Sequence, residues 1–189
     1  MKNVVAQALS IIEAKGTILY PTDTIWGIGC HAMYEEAITK IFAIKGRSSS
    51  NPFILLVRDV PMLSKFLGYT PSPEMLTMLE QSQRPTTVIY PHAQNIPAFA
   101  KATDGSVGIR ICRQTFCQKL LQKMNAPLVS TSANFSGEAS PQNFAAISPA
   151  LKQGIDFIVP EKNADSSSAG VASRIIKINE NGEIFIIRD

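Results

Sequence analysis

The side chains in this sequence that could carry chemistry are hydroxyls, amides and isolated cations, gathered in four short polar segments. Pro21-Thr22-Asp23-Thr24 separates two apolar stretches and reads either as an ordinary Asx or ST turn or as part of a site. Lys45-Gly46-Arg47 closes a helical pattern. Cations there are favourable at a helix C-terminus without any function, yet a bend at Gly46 would let both converge on one phosphate. Ser130-Thr131-Ser132-Ala133-Asn134 follows the apolar Pro127-Leu128-Val129. Small hydroxyls and an amide at the end of a buried strand either form a polar turn or donate to phosphate and carboxylate oxygens without adding charge. In Ser136-Gly137-Glu138-Ala139-Ser140-Pro141, Ser140 is placed to cap a helix, and a helix N-terminus attracts anions. Arg110 stands alone among the apolar residues of Val107-Gly108-Ile109-Arg110-Ile111 and must find a partner or reach a cleft. Together these features describe a concave site with several cations, several hydroxyls and no nucleophile–base pair. Such a site suits nucleotide or phosphoryl transfer by positioning and charge neutralisation.

Other routes to that chemistry are missing. There is no P-loop motif, and Gly27-Ile28-Gly29 lacks the third glycine and helix of a dinucleotide fingerprint. His31 and His92 have no partner at metal-ligand spacing and read as plain surface or turn histidines. Trp26 reads as a core or pocket-wall aromatic, with base stacking as the alternative.

Alternating strands and helices must position these residues. Hydrophobic periodicity predicts helices over 2–15, 35–45, 61–67, 73–82 and 114–124, and a further one over about 142–152 opened by Ser140-Pro141. Ser72 as N-cap and Pro73 at the first position mark the start of the fourth. Strands are expected at 17–20, 25–30, 53–57, 86–90, 107–112, 127–130, 155–159, 173–178 and 184–188, the last entered by a hairpin turn at 180–183. The pattern predicts a mixed α/β (α+β) fold: a single domain over 1–189, with a twisted mixed sheet and helices packed on it. The stretch 163–173 (NADSSSAGVAS) reads as a surface loop or lid.

Composition bounds the remaining possibilities. With 189 residues, 45 % hydrophobic and 17 % charged, the chain is too apolar and too weakly charged to be disordered. No run of about 18 apolar residues exists to span a membrane. The N-terminal residues break their apolar pattern with Gln7, Ser10, Glu13 and Lys15, unlike a signal peptide, which predicts a cytoplasmic protein. Cys30, Cys112 and Cys117 are too few and scattered for a disulfide framework or a zinc site, so no protein-held metal is expected. The net charge of +3 is mild and fits a site for an anionic ligand.

The same residues carry a family resemblance. Tyr20-Pro21-Thr22-Asp23-Thr24-Ile25-Trp26-Gly27-Ile28-Gly29, Lys45-Gly46-Arg47 with Asn51-Pro52-Phe53, and Ser132-Ala133-Asn134-Phe135-Ser136-Gly137 resemble the YrdC-type threonylcarbamoyl-AMP synthases, whose hallmark is the K-x-R and S-x-N pair. Pro85-Thr86-Thr87-Val88-Ile89, Val107-Gly108-Ile109-Arg110 and Gly170-Val171-Ala172-Ser173-Arg174-Ile175-Ile176 resemble that family's later segments, in the right order. The resemblance runs from about residue 8 to 178 and is to the short, single-domain form. It implies a YrdC-like fold and a nucleotidyltransferase that makes L-threonylcarbamoyladenylate and pyrophosphate from L-threonine, bicarbonate and ATP with Mg2+. Transfer proteins downstream would pass the threonylcarbamoyl group to adenosine 37 of tRNA. It also implies that Lys45 and Arg47 act in catalysis and, with Arg110, offset the charge of ATP. Ser132, Asn134 and Ser140 would orient phosphates, Thr87 and Ser130 would line the pocket, and Thr22 and Ser173 would contact threonine.

Departures from the family pattern are Ser82-Gln83-Arg84 in place of a W-P-G, Ser48 after K-x-R, Arg174 after Ser173, and Trp26 where tyrosine is common. They bear on the shape of the wall more than on phosphate binding. Two other readings stand beside the synthase. One is a module that binds tRNA or double-stranded RNA, against which the modest charge and the lack of a Lys/Arg run count. The other is a YrdC-fold paralogue with another nucleotide-dependent activity.

Overall fold

The computed structural model describes residues 1–46, 53–164 and 170–189. Its helices are α1 (Lys2–Glu13), α2 (Glu35–Lys45), α3 (Val60–Leu67), α4 (Pro73–Gln81), α5 (Thr115–Met124) and α6 (Pro149–Gln153). Its strands are β1 (Ile18–Tyr20), β2 (Gly27–Gly29), β3 (Ile54–Val57), β4 (Thr86–Tyr90), β5 (Val107–Ile111), β6 (Leu128–Ser132), β7 (Phe157–Ile158), β8 (Arg174–Ile178) and β9 (Ile184–Arg188). The strands join into one sheet in the order β7-β1-β2-β6-β3-β5-β4-β8-β9. β1–β7, β3–β5 and β4–β8 pair in parallel, and the other neighbours are antiparallel. The expected mixed α/β architecture is therefore present.

Alternation along the strands divides the sheet into two faces. Leu19, Ile28, Val129, Leu55, Ile109, Val88 and Ile176 point to one face, where α2, α3 and α4 bury Ile38, Ile41, Leu63, Phe66 and Met75 against them. Ile18, Tyr20, Leu56 and Leu128 point to the other, under α1 (Val5, Ala8, Ile12) and α5 (Phe116, Leu120, Leu121). Local signals set the helix ends. Ser72 Oγ accepts from the Met75 N–H at 3.3 Å, Asp59 caps α3 by accepting from the Met62 N–H at 2.9 Å, and Gly46 ends α2 in the left-handed region at φ 58°.

One predicted element fails. Residues 141–148 form turns, and the helix that follows is only Pro149–Gln153. Pro149 forces Ser148 into an extended conformation (ψ 130°), which leaves too few residues before it for a stable helix. Asn143 Oδ1 meanwhile takes the Ala146 N–H at 3.0 Å as a turn. The apolar residues that suggested a helix are buried individually, Ile147 in the core and Phe144 against Trp26. Ser140 therefore caps no helix, and the anion site expected at a helix N-terminus there is absent.

Candidate functional site

α1 and α5 cover only part of their face of the sheet. Beyond them the same face opens into a cavity of about 280 Å3, whose lining includes Gly27 of β2, Ser130 of β6, Ile54 of β3, Arg110 of β5, Ile175 of β8 and Arg188 of β9. Thr22, Thr24, Ile25 and Trp26 of the β1–β2 connection form one wall, with Phe53, Thr131, Ser132, Ser140, Ala172 and Ser173 around the rest. Hydroxyls thus dominate the polar lining. Among the described residues it carries two charged side chains, both guanidinium, and neither carboxylate nor imidazole. An anion entering here meets donors and no repelling charge.

The hydroxyls are held in place. Thr22 Oγ1 accepts from the Thr24 N–H at 3.0 Å and donates to the Ile25 carbonyl at 2.7 Å, which fixes the 21–24 turn. Ser173 Oγ lies 2.9 Å from Thr87 Oγ1, so Thr87 stands behind the cavity wall and supports Ser173 from β4. Trp26 is a wall residue, 7 % exposed, packed on the Phe144 ring at 4.8 Å between centroids.

Lys45 is buried, 3 % exposed, and its Nζ donates to the carbonyls of Ser132 and Asn134 at 2.6 and 2.7 Å. The Ser136 N–H returns a bond to the Lys45 carbonyl at 2.9 Å. The K-x-R and S-x-N segments are thus physically joined: the end of α2 is clamped to the strand end that presents Ser132 to the cavity. The resemblance implies a catalytic, charge-offsetting Lys45; the side chain lies in the protein interior, beside the cavity rather than on its lining. Asn134 is likewise absent from the cavity lining, its Nδ2 bridging the carbonyls of Phe135 and Glu138 at 2.9 and 2.8 Å, while its buried Oδ1 has no hydrogen-bond partner among the described residues. Arg47, Ser48 and Asn51-Pro52 lie outside the described residues, as does 165–169 of the expected lid. The near end of that segment reaches the site, where the Gly170 N–H donates to the Thr24 carbonyl at 2.9 Å.

Of the sequence-predicted residues, Thr22, Arg110, Ser130, Ser132, Ser140 and Ser173 meet in one cavity, and Lys45, Thr87 and Asn134 brace it. Ser140 does so from a loop. Sequence reasoning missed Arg188, and a bulge explains why. Ile175 pairs with Arg188 but Ile176 with Ile186, leaving Ile187 as an extra residue. Strict alternation would send Arg188 to the opposite face; the bulge turns it into the cavity, where its Nε and Nη2 hold the Ser173 carbonyl at 3.1 and 2.7 Å. Partial burial, and then the positive charges of Arg110 and Arg84, lower the basicity of Arg188. The two cavity cations therefore repel each other.

Ser82-Gln83-Arg84 does not touch this cavity. With Arg58, Arg113, Leu76 and Leu79 it lines a separate groove of about 850 Å3. Arg174 pairs with Asp189 at 3.4 Å. His31 is buried rather than on the surface: it stacks on Tyr34 at 4.2 Å, and its Nδ1 accepts from the Met33 N–H at 3.2 Å. Among the described residues no cluster of His, Cys, Asp or Glu is placed to hold a metal, all three cysteines are buried and free, and no helix is long and apolar enough to cross a membrane.

Comparisons with known proteins place this geometry. The model of the Sua5/YciO/YrdC family, described as "Telomere recombination", matches residues 10–189. A threonylcarbamoyl-AMP synthase of Xanthomonas campestris pv. campestris is 30 % identical over 154 residues, which cover 80 % of this chain and 82 % of that one. One of Pseudoalteromonas translucida is 25 % identical over 186 residues, 97 % of each chain. Among solved structures, P. abyssi Sua5 complexed with L-threonine superposes with a TM-score of 0.80 at 26 % identity, covering 93 % of this chain and 51 % of that one. The chain thus spans about half the length of that Sua5 protein. E. coli YciO, at 21 % identity, shares the fold with a TM-score of 0.80 over 100 % of this chain and 90 % of its own. With the family model matched from residue 10 to the last residue of the sequence, and the K-x-R and S-x-N segments joined beside a hydroxyl-lined, cation-bearing cavity, the chain belongs to the Sua5/YciO/YrdC family.

Proposed function

We propose that the chain is an L-threonylcarbamoyladenylate synthase, a nucleotidyltransferase that joins L-threonine, bicarbonate and ATP and releases pyrophosphate. The observation that carries this reading is the cavity itself: two guanidinium groups and a floor of hydroxyls, with no carboxylate or imidazole among its described lining. The threonine amine captures CO2, supplied by bicarbonate, as an N-carboxylate. One of its oxygens attacks the α-phosphorus of ATP, and pyrophosphate leaves with the bonding electron pair. The carboxylates and phosphates brought together are all anionic, so the protein contributes by offsetting charge and fixing the line of attack.

In this reading Arg110 and Arg188 neutralise phosphate oxygens together with Arg47, and Lys45 holds the end of β6 that presents Ser132. Ser130, Ser132 and Ser140 donate to the phosphate oxygens, and Asn134 and Thr87 hold the segments in register. Thr22 and Ser173 face the threonine. Mg2+ fits as a companion of the nucleotide: a hydroxyl-lined cavity offers no carboxylate cage, and this ion is commonly held through substrate phosphates and water. The product would serve N6-threonylcarbamoyladenosine formation at position 37 of tRNA through transfer proteins downstream, in the cytoplasm.

The test is pyrophosphate release from ATP and Mg2+ with bicarbonate and each amino acid in turn. Release that requires both threonine and bicarbonate is the expected result. ATP binding without release under any amino acid would favour the paralogue with another nucleotide-dependent activity, and RNA binding without ATP binding would favour the tRNA or double-stranded RNA module. Arg188→Ala is expected to raise the KM for ATP about ten- to hundredfold, the equivalent of one charge-assisted hydrogen bond. An unchanged KM would remove Arg188 from the phosphate set.

A further inference from the structure

Arg110 is a buried cation, 4 % exposed, facing a second guanidinium across a cavity. Left alone it would be expelled from that position, because an unpaired charge in a low-dielectric interior is strongly unfavourable. Asp23 prevents this. Its Oδ1 lies 3.1 Å from Arg110 Nη2, with the two side chains 6 % and 5 % exposed. The carboxylate is itself fixed from behind: the Arg113 N–H donates to Oδ2 at 3.2 Å, and the Cys112 thiol donates to Oδ1 at 3.4 Å. The Thr22–Thr24 contacts hold the turn that carries it. Asp23 lines the neighbouring groove and not the cavity, so its side chain acts on a ligand in the cavity through Arg110. Arg110 itself lines the cavity, so its charge faces whatever anion enters there.

We infer that Asp23 is a positioning residue, which holds the buried guanidinium of Arg110 in one orientation on the cavity wall, where its charge meets an anionic group of the substrate. This inference rests on the synthase reading above and adds a division of labour. The carboxylate sets the orientation of Arg110 and at the same time offsets part of the positive charge of the cavity. Loss of the carboxylate therefore has opposite consequences for two measurable quantities. Orientation is lost, so turnover falls. The cavity becomes more positive, so affinity for a simple anion does not fall.

The experiment compares kcat for threonine-dependent pyrophosphate release with the dissociation constant of inorganic pyrophosphate, in wild type, Asp23→Asn and Asp23→Glu. The expected result for Asp23→Asn is a kcat at least tenfold lower with pyrophosphate bound as tightly as by wild type or more tightly, and recovery of turnover in Asp23→Glu, which keeps the charge. A parallel loss of affinity and turnover in a folded Asp23→Asn overturns the inference, because general damage lowers both; so does undiminished turnover. Should Asp23→Asn fail to fold, Arg110→Ala and Arg110→Ala/Asp23→Asn decide, since neither leaves an orphaned guanidinium. Equal turnover in the two supports action through Arg110, and a further loss in the double variant overturns it. A wild-type chain with no threonine-dependent release overturns the parent reading and this inference with it, whereas an active wild type confines any failure to Asp23.

Discussion

Lys45→Ala is expected to lower ATP-dependent turnover by about a hundredfold or more and to cost about 2–4 kcal/mol of stability. The stability loss follows from burial. The Nζ of Lys45 donates to the carbonyls of Ser132, at the end of β6, and Asn134, just beyond it, and the side chain is buried. Alanine leaves both carbonyls without this donor and opens a void. The loss of turnover follows from the clamp, because Ser132 and the loop toward Ser140 are held by it, and a displacement of about 1 Å in a positioning group costs on the order of a hundredfold. Thermal unfolding and pyrophosphate release together check the prediction. Lys45→Met separates the two effects: it restores the stem and removes the ammonium, so it should recover part of the stability and little of the activity. Turnover near the wild-type level in Lys45→Met would show that the ammonium contributes to neither positioning nor charge.

Gly29→Ala is expected to be more damaging to the fold, by about 4 kcal/mol or more, enough to leave little folded protein near body temperature. A Cβ at this position would sit 2.2 Å from the Val129 carbonyl oxygen and 2.8 Å from Tyr20 Cε1. Neither neighbour can yield. Val129 is in the middle of β6, and Tyr20 is fully buried with its hydroxyl donating to the Val129 carbonyl at 3.4 Å. The Tyr20 ring therefore crosses directly over Gly29, which is why a glycine stands in a strand interior. Urea unfolding of the variant, or its recovery only as insoluble protein, checks this. A loss below about 1 kcal/mol would mean that β2 and β6 can separate locally.

How far the sequence foretold these features depended on whether the signal was local. Helices 35–45 and 114–124 and strands 86–90 and 184–188 are close to α2, α5, β4 and β9 because periodicity and end residues act within a few turns of chain. Helix 142–152 failed because apolar spacing cannot distinguish one continuous buried face from Phe144 and Ile147 buried against different neighbours. Most hydroxyls of the site were legible from segment chemistry. The position of Arg188 was not, because its direction depends on a bulge in the β8–β9 pairing. The ion pair between Asp23 and Arg110 joins residues far apart in sequence and was likewise hidden; the turn reading of Pro21–Thr24 gave Asp23 no special weight.

The pairing that brings β8 beside β4, and β7 beside β1, also governs how the molecule assembles. Thr86 to Ile89 meet Arg174 to Lys177, and Ile18 and Leu19 meet Phe157 and Ile158, in parallel register across long stretches of chain. Such pairings require loops to close before any contact rewards them, which places this protein among the slow folders. The cavity draws on both ends of the sequence, from Thr22 to Arg188, so it cannot exist in a half-assembled chain. Occupancy by a nucleotide then stabilises the finished sheet as a unit, by RT ln(1 + [L]/Kd), and should slow amide hydrogen exchange in strands that never touch the ligand.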